Sequence, residues 1–247
     1  MHTYRADLHV HTVVSPCADV EMIPPLIVAE AVHQGIDILA ITDHNSTANI
    51  ASVQKAALGV PLLIIPGMEV QTAEDVHVLC LFESLEQSLQ WQEIVDQHLP
   101  LLKNNPDFFG EQFIVDETGD FIATEDRLLL TAVDLSFEAA YQTVIQLGGM
   151  FIPAHVNRKA NGLLANLGFV PADTPLDLLE ISRHLSPIEA KKQFPQIEKY
   201  PLMQNGDVHY LADLLGSLRL NMESLSFQEI KLALKNQQGR SFYISPI

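Results

Sequence analysis

The chain has little of several things, and each shortage excludes a class of protein. Cysteine is limited to Cys17 and Cys80, too few for a disulfide framework, so a reducing, cytoplasmic setting is expected. No apolar run is long enough to span a bilayer. The start, MHTYRADLHVHT, lacks the basic residues, long apolar stretch and small-residue cleavage site of a signal peptide. No membrane partner is therefore expected. Basic residues are scarce: 14 Lys and Arg stand against 31 Asp and Glu, a net charge of −17. That balance argues against holding a long double-stranded nucleic acid on a broad basic surface, because such affinity comes from cations that displace phosphate counterions. It leaves room for a small phosphorylated substrate held through metal ions, which reverse the local field. The sequence carries no signal for oligomeric state.

What is present is an alternation of short apolar runs with helical patterns. Strands are read at Arg5–Val10, Ile36–Thr42, Leu62–Ile65, Val76–Phe82, Met150–Ala154, Leu176–Ile181, Leu202–Asn205 and Ser241–Ile244. Helices are read at Ile23–Gln34, Thr47–Leu58, Leu85–His98, Ser136–Leu147, Pro187–Phe194 and Phe227–Asn236. Pro24-Pro25 open the first helix and Gly35 closes it, the usual asymmetry of helix ends. Strand–helix alternation implies an α/β fold around a mostly parallel sheet. Seven or eight such units suggest a closed or nearly closed barrel, with an open doubly wound sheet as the alternative. Residues 1–247 read as a single domain. Asn104–Arg127 breaks the pattern and reads as a hairpin insertion, either a flap near the site or a surface loop without a role.

The placement of histidines and carboxylates carries the chemistry. His9 and His11 end the first strand two residues apart, so period-two alternation puts both on one side. Asp43-His44 follows the second strand, and Glu69 the third. His77 opens the next, His155 ends MFIPAH, and Asp207 and His209 follow the short strand near Leu202. Metal-capable groups thus recur at successive strand ends, which in a parallel barrel meet on one face. Singly, each is more often a satisfied core residue; jointly, they point to a multinuclear metal site. His2, His33, His98 and His184 lack such placement, and Cys80 reads as core.

As a set, DLHVHT, ITDHN, GMEV, DVHVL, PAHVNR and NGDVH, in this order, resemble the motifs of the polymerase and histidinol phosphatase (PHP) domain family. The resemblance implies a distorted (β/α)7 barrel of the PHP type, with two or three divalent ions (Zn, Mn or Fe) in a cleft at the strand C-termini. It implies a first metal position at His9, His11, Glu69 and Asp207. Glu69 would bridge to a second completed by His77 and His155. A third would take Cys17, His44 and His209. Many family members have Asp or His where this chain has Cys17; a thiolate suits zinc and not magnesium. Asp19 is a nearby substitute. The expected catalytic groups are Glu69, which bridges, and His44 and His209, which serve the leaving oxygen. Asp7 and Asp43 are candidates to orient the imidazoles.

Among the few cations, Arg158 and Arg183 fall near motifs and are candidates to bind phosphate bidentately, with Lys159 assisting. Tyr210, Phe108, Phe109 and Phe113 are available for stacking. No polymerase region is evident, so the expected function is a stand-alone metal-dependent hydrolase of a small phosphate ester such as histidinol phosphate or a nucleotide. The alternatives are an exonuclease on short single-stranded ends, an amidohydrolase-like enzyme cleaving C–N or C–O bonds, and a non-catalytic metal-binding scaffold. Against the amide hydrolase, the sole lysine before residue 100 is Lys55, inside a predicted helix.

Overall fold

Continuous apolar runs need burial on both faces, and the strands meet that need: β2 (Ile38–Ile41) and β4 (His77–Leu81) are buried at every position. They belong to a computed structural model that describes residues 1–245. In chain order the remaining elements are β1 (His2–Val10), α1 (Pro24–His33), α2 (Ile50–Ala56), β3 (Leu63–Gln71), α3 (Leu85–His98), α4 (Pro106–Phe109), β5 (Phe113–Val115) and β6 (Phe121–Thr124). After these come α5 (Phe137–Gln146), β7 (Met150–Pro153), α6 (Leu163–Asn166), β8 (Leu179–Ile181), α7 (Pro187–Gln193), β9 (Leu202–Gln204), β10 (Leu218–Met222), α8 (Phe227–Leu234) and β11 (Ser241–Ile244). Helix α3 begins in a capping box, with Ser84 and Gln87 each satisfying the other's backbone. It buries Trp91 against Phe82.

The main sheet has seven strands in the order β11-β10-β1-β2-β3-β4-β7 and curls into a half-barrel. Strands β1, β2 and the first half of β3 run parallel. The others are antiparallel to their neighbours, so the mostly parallel order expected from the sequence is corrected to a mixed one. The cause is the connection between β3 and β4, residues 72–76 only. That is too short for the crossover a parallel pair requires. Strand β10, absent from the sequence reading, alternates buried and half-buried residues along LRLNM.

A second, two-stranded parallel pair, β8–β9, spans the gap between β7 and β1. Val156, just past β7, donates its N–H to the Glu180 carbonyl. Val208, just past β9, donates to the His9 carbonyl and accepts from the His11 N–H. The ends of β1, β7, β8 and β9 are thereby tied together. Strands β5 and β6 form an antiparallel hairpin. It docks on the turn after β1 through Phe113 N–H to the Val13 carbonyl, and on α2 through Ser52 Oγ to the Val115 carbonyl.

Strand β3 changes partner midway: Leu63–Pro66 pairs with β2 and Gly67–Gln71 with β4. At the changeover a Cβ on Gly67 would lie 2.8 Å from Leu81 Cδ2, 2.9 Å from Thr42 Cγ2 and 3.1 Å from the Ile41 carbonyl oxygen. A fully buried methyl has nowhere to go there. Gly67→Ala should therefore cost about 1–3 kcal/mol, the range for overpacking, as read by the denaturation midpoint; an unchanged midpoint would mean that the strands have slack at this point.

Candidate metal centre

One carboxylate organises the site. Glu69, buried on the second half of β3, has five imidazoles around its two oxygens. Oε1 lies 3.3 Å from His9 Nε2, 2.9 Å from His77 Nδ1 and 3.0 Å from His155 Nε2. Oε2 lies 3.4 Å from His11 Nε2 and 3.1 Å from His44 Nδ1. Asp207 Oδ1 adds a second carboxylate, 3.4 Å from His9 Nε2 and 3.6 Å from His11 Nε2. His209 stacks on His11, ring centroids 4.2 Å apart. The β-alternation of β1 brings His9 and His11 to one side, and a bridge between His44 and Glu69 joins the ends of β2 and β3. Several donors sit on backbone that non-glycine residues seldom adopt: His155 at φ +28°, Asp207 at +49°, and Asn45, beside His44, at +47°. Such conformations gather at functional sites.

The hydrogen bonds at the backs of the rings decide which nitrogens face inward. His9 Nδ1 lies 3.1 Å from Glu180 Oε2; a carboxylate only accepts, so Nδ1 carries the proton. Ser15 Oγ donates to Asp43 Oδ1 (2.7 Å) and so accepts from His11 Nδ1 (3.1 Å). His209 Nδ1 donates to the Asp207 carbonyl (2.9 Å). In all three rings Nε2 is the atom turned to the centre. His9 Nε2, His11 Nε2 and Glu69 Oε2 are buried with no hydrogen-bond partner, and each such atom costs about 1–3 kcal/mol. Divalent cations would satisfy them. Two ligands roughly 2.1 Å from one ion are separated by about 3.0–3.4 Å in octahedral or tetrahedral geometry, which is the spacing of these donors. Three groups bring their ligand atoms within 4.8 Å of one another: His9, His11 and Glu69; His44, Glu69 and His77; and His11, His44 and His209. The residues fit a metal site.

The electrostatics agree. Burial alone would raise the Glu69 carboxyl, but His77, His9 and His44 outweigh it and hold it well below the usual range. Burial would lower His9, yet Glu180, Glu69 and Asp207 carry it well above its ordinary value. Burial keeps His44 well below its usual value and lowers His209 to about 4, so both are neutral, the form that ligates.

The other residues singled out from the sequence lie at different distances from this centre. Cys17 is exposed and belongs to none of the three clusters; among the described residues, His11 completes the trio with His44 and His209. Asp43 orients His11 through Ser15, whereas Asp7 accepts the N–H groups of Gly206 and His9 and contacts no ring. Arg158 donates to Asp207 Oδ2 at 2.5 Å. Arg183 pairs with Asp213 at 2.9 Å. Both arginines, with Ser182, His184, Gly206 and Asp207, line a cleft of about 230 Å³ beside the centre. The hairpin touches the loop after His11 through Val13, while Phe108 is exposed. Three residues were not singled out: Glu180, Ser15 and Asn161, whose amide lies 2.8 Å from His77 Nε2. Glu180 alone left a signal, a lone acid in the apolar run Leu178–Ile181.

Comparison with known proteins agrees with this geometry. The PHP domain family model matches residues 7–148. The 5′-3′ exoribonuclease Rnm of Escherichia coli (strain K12) is 33% identical over 96 residues, covering 37% of this chain and 32% of that protein. The lesion-specific endonuclease PfuEndoQ from Pyrococcus furiosus superposes with a TM-score of 0.76 at 20% identity, over 98% of this chain and 58% of that one. An Endonuclease Q complex with a 27-mer duplex substrate, an abasic lesion at its active site, gives 0.71 at 19% identity, over 97% and 58%. The chain thus spans from about a third to three fifths of the length of these proteins. They overturn the expectation of a small phosphorylated substrate with long duplexes excluded. The physical reason is that net charge averages over the whole surface, whereas the cleft beside the centre collects two arginines and a set of cation ligands.

Metal should stabilise the fold. Adding a ligated ion at 100 times its dissociation constant should contribute about 2.7 kcal/mol per site, read as a rise in melting temperature that a chelator reverses. Glu69→Ala should abolish most of that rise; an undiminished rise would remove Glu69 from the ligand set.

Proposed function

The chain belongs to the PHP domain family, and on that premise we propose that it is a metal-dependent phosphoesterase that hydrolyses phosphodiester bonds of nucleic acid. The observation that carries the reading is Glu69, a buried carboxylate whose two oxygens both lie within 3.4 Å of imidazole nitrogens, five rings in all, a donor set suited to a carboxylate shared between ions. The names of its relatives, an exoribonuclease and a lesion-specific endonuclease, support the substrate class. An intact donor set speaks against a scaffold without chemistry. The amide-hydrolase alternative finds no support at Lys55, which lies exposed on α2 beside Glu117.

Two or three divalent ions, of zinc, manganese or iron, would supply Lewis acidity and a water of lowered pKa. His9, His11, Glu69 and Asp207 would hold one, His77 and His155 with Glu69 a second, and His44 and His209 would contribute to a third. The remaining tasks fall to the chain. Asp207 turns Oδ1 to the imidazoles and Oδ2 to Arg158, so the guanidinium stands beside any phosphate at the centre, with further N–H groups to offer its oxygens. Arg183, across the same cleft, holds the strand on the far side of the scissile bond. His184 lines the same wall.

The test is cleavage of end-labelled single- and double-stranded DNA and RNA by metal-loaded protein. Glu69→Ala should abolish turnover. Arg158→Ala should raise KM about 10–100-fold, the loss of a charged hydrogen bond of about 1.5–3 kcal/mol. Hydrolysis of phosphate monoesters with no cleavage of any strand would overturn the assignment.

A further inference from the structure

Resting on the metal-centre reading above, we propose that Glu180 is a positioning residue that sets His9 and His155 together and so fixes the affinity of both ion positions that share Glu69. Glu180 lies on β8 with 2% of its side chain exposed. It does not face the centre; it stands behind it. Its two oxygens are 3.3 and 3.1 Å from His9 Nδ1. Oε2 also accepts the backbone N–H of His155 at 3.0 Å, and Oε1 accepts the Asn205 amide at 2.7 Å. Asn205 in turn accepts the Leu8 N–H at 2.9 Å.

Each contact fixes something that ligation needs. The bond to Nδ1 holds the His9 ring in the form that leaves Nε2 for an ion. The bond to the His155 N–H holds a residue at φ +28°, a conformation that persists only when its surroundings enforce it. One buried carboxylate therefore aims two imidazoles that belong to different ion positions. His209, assigned to the third position, is oriented separately, through the Asp207 carbonyl. It is an internal control.

The experiment is calorimetric titration of chelator-stripped wild-type protein and Glu180→Gln with Zn²⁺ and Mn²⁺, paired with imidazole ¹⁵N spectra of His9. Loss of the outer partner of a ligating histidine typically lowers affinity about 10–100-fold. That loss is expected for the two positions sharing Glu69, with the third class unchanged and the His9 proton no longer confined to Nδ1. Equal affinities in the two proteins, with only the melting temperature lowered, would overturn the proposal. Should the variant fail to fold, the wild-type spectrum decides alone: an unprotonated His9 Nδ1 overturns the assignment and a protonated one supports it. Wild-type protein that takes up no metal would instead refute the metal centre itself.

Discussion

The structure depends on compensation of one buried anion. Glu69 is 1% exposed, and a carboxylate cannot be carried into a protein interior without partners. Five imidazoles supply them, and they come from the ends of β1, β2, β4 and β7. The demand of a single side chain thus specifies how four strands must converge. It also explains why the compensation is incomplete within the chain. Neutral imidazoles satisfy an anion only as hydrogen-bond donors, and two of the ring nitrogens nearest Glu69 have no partner at all. The arrangement is worse than an apolar core unless positive charge enters. A cation bound among the rings is the complete solution.

Convergence on Glu69 accounts for the irregular features of the sheet. At Gly67 β3 takes β4 as a second partner while Glu69 stays bridged to His44 beyond β2, so that Glu69 meets His44 on one side and His77 on the other. The short connection makes β4 antiparallel, and β7 follows it. Strands β8 and β9, detached from the main sheet, bring Glu180 and Asp207 to the back and the rim of the centre. Backbone strain at His155 and Asp207 is stored where these pieces meet.

This hierarchy explains what was legible in the sequence. The donors were readable because their chemistry is distinctive and because they sit at the ends of apolar runs, whose alternation fixes direction. Helix α3 was readable to the residue, since its Ser84–Gln87 box marks the start and Pro100 the end. Pairing direction was not. Read by propensity, the third strand stops at Ile65, because Pro66 and Gly67 normally break strands. That leaves a connection long enough for a parallel crossover. The strand in fact runs through both to Gln71, since packing against Thr42 and Leu81 overrides propensity there. Ser15 and Asn161 escaped notice because they orient rings from outside any motif, and Glu180 left only its place as a lone acid in an apolar run. Its role exists only in the distance to a ring supplied from elsewhere in the chain.

The charge balance taught the opposite lesson. Thirty-one acidic residues against 14 basic ones describe the far field, which governs non-specific attraction to a polyanion. A group held at the centre responds to the near field. There, the acids Glu69, Asp207, Glu180 and Asp43 are each consumed by ligands or hydrogen bonds, and Arg158 and Arg183 line the adjoining cleft. Ions bound among the imidazoles would make the centre positive regardless of the remaining surface. An acidic exterior weakens attraction that relies on phosphate charge alone and leaves the local field to the groups at the centre. For such a chain, net charge bears on how salt modulates attraction to a polyanion and says little about the chemistry available at the centre.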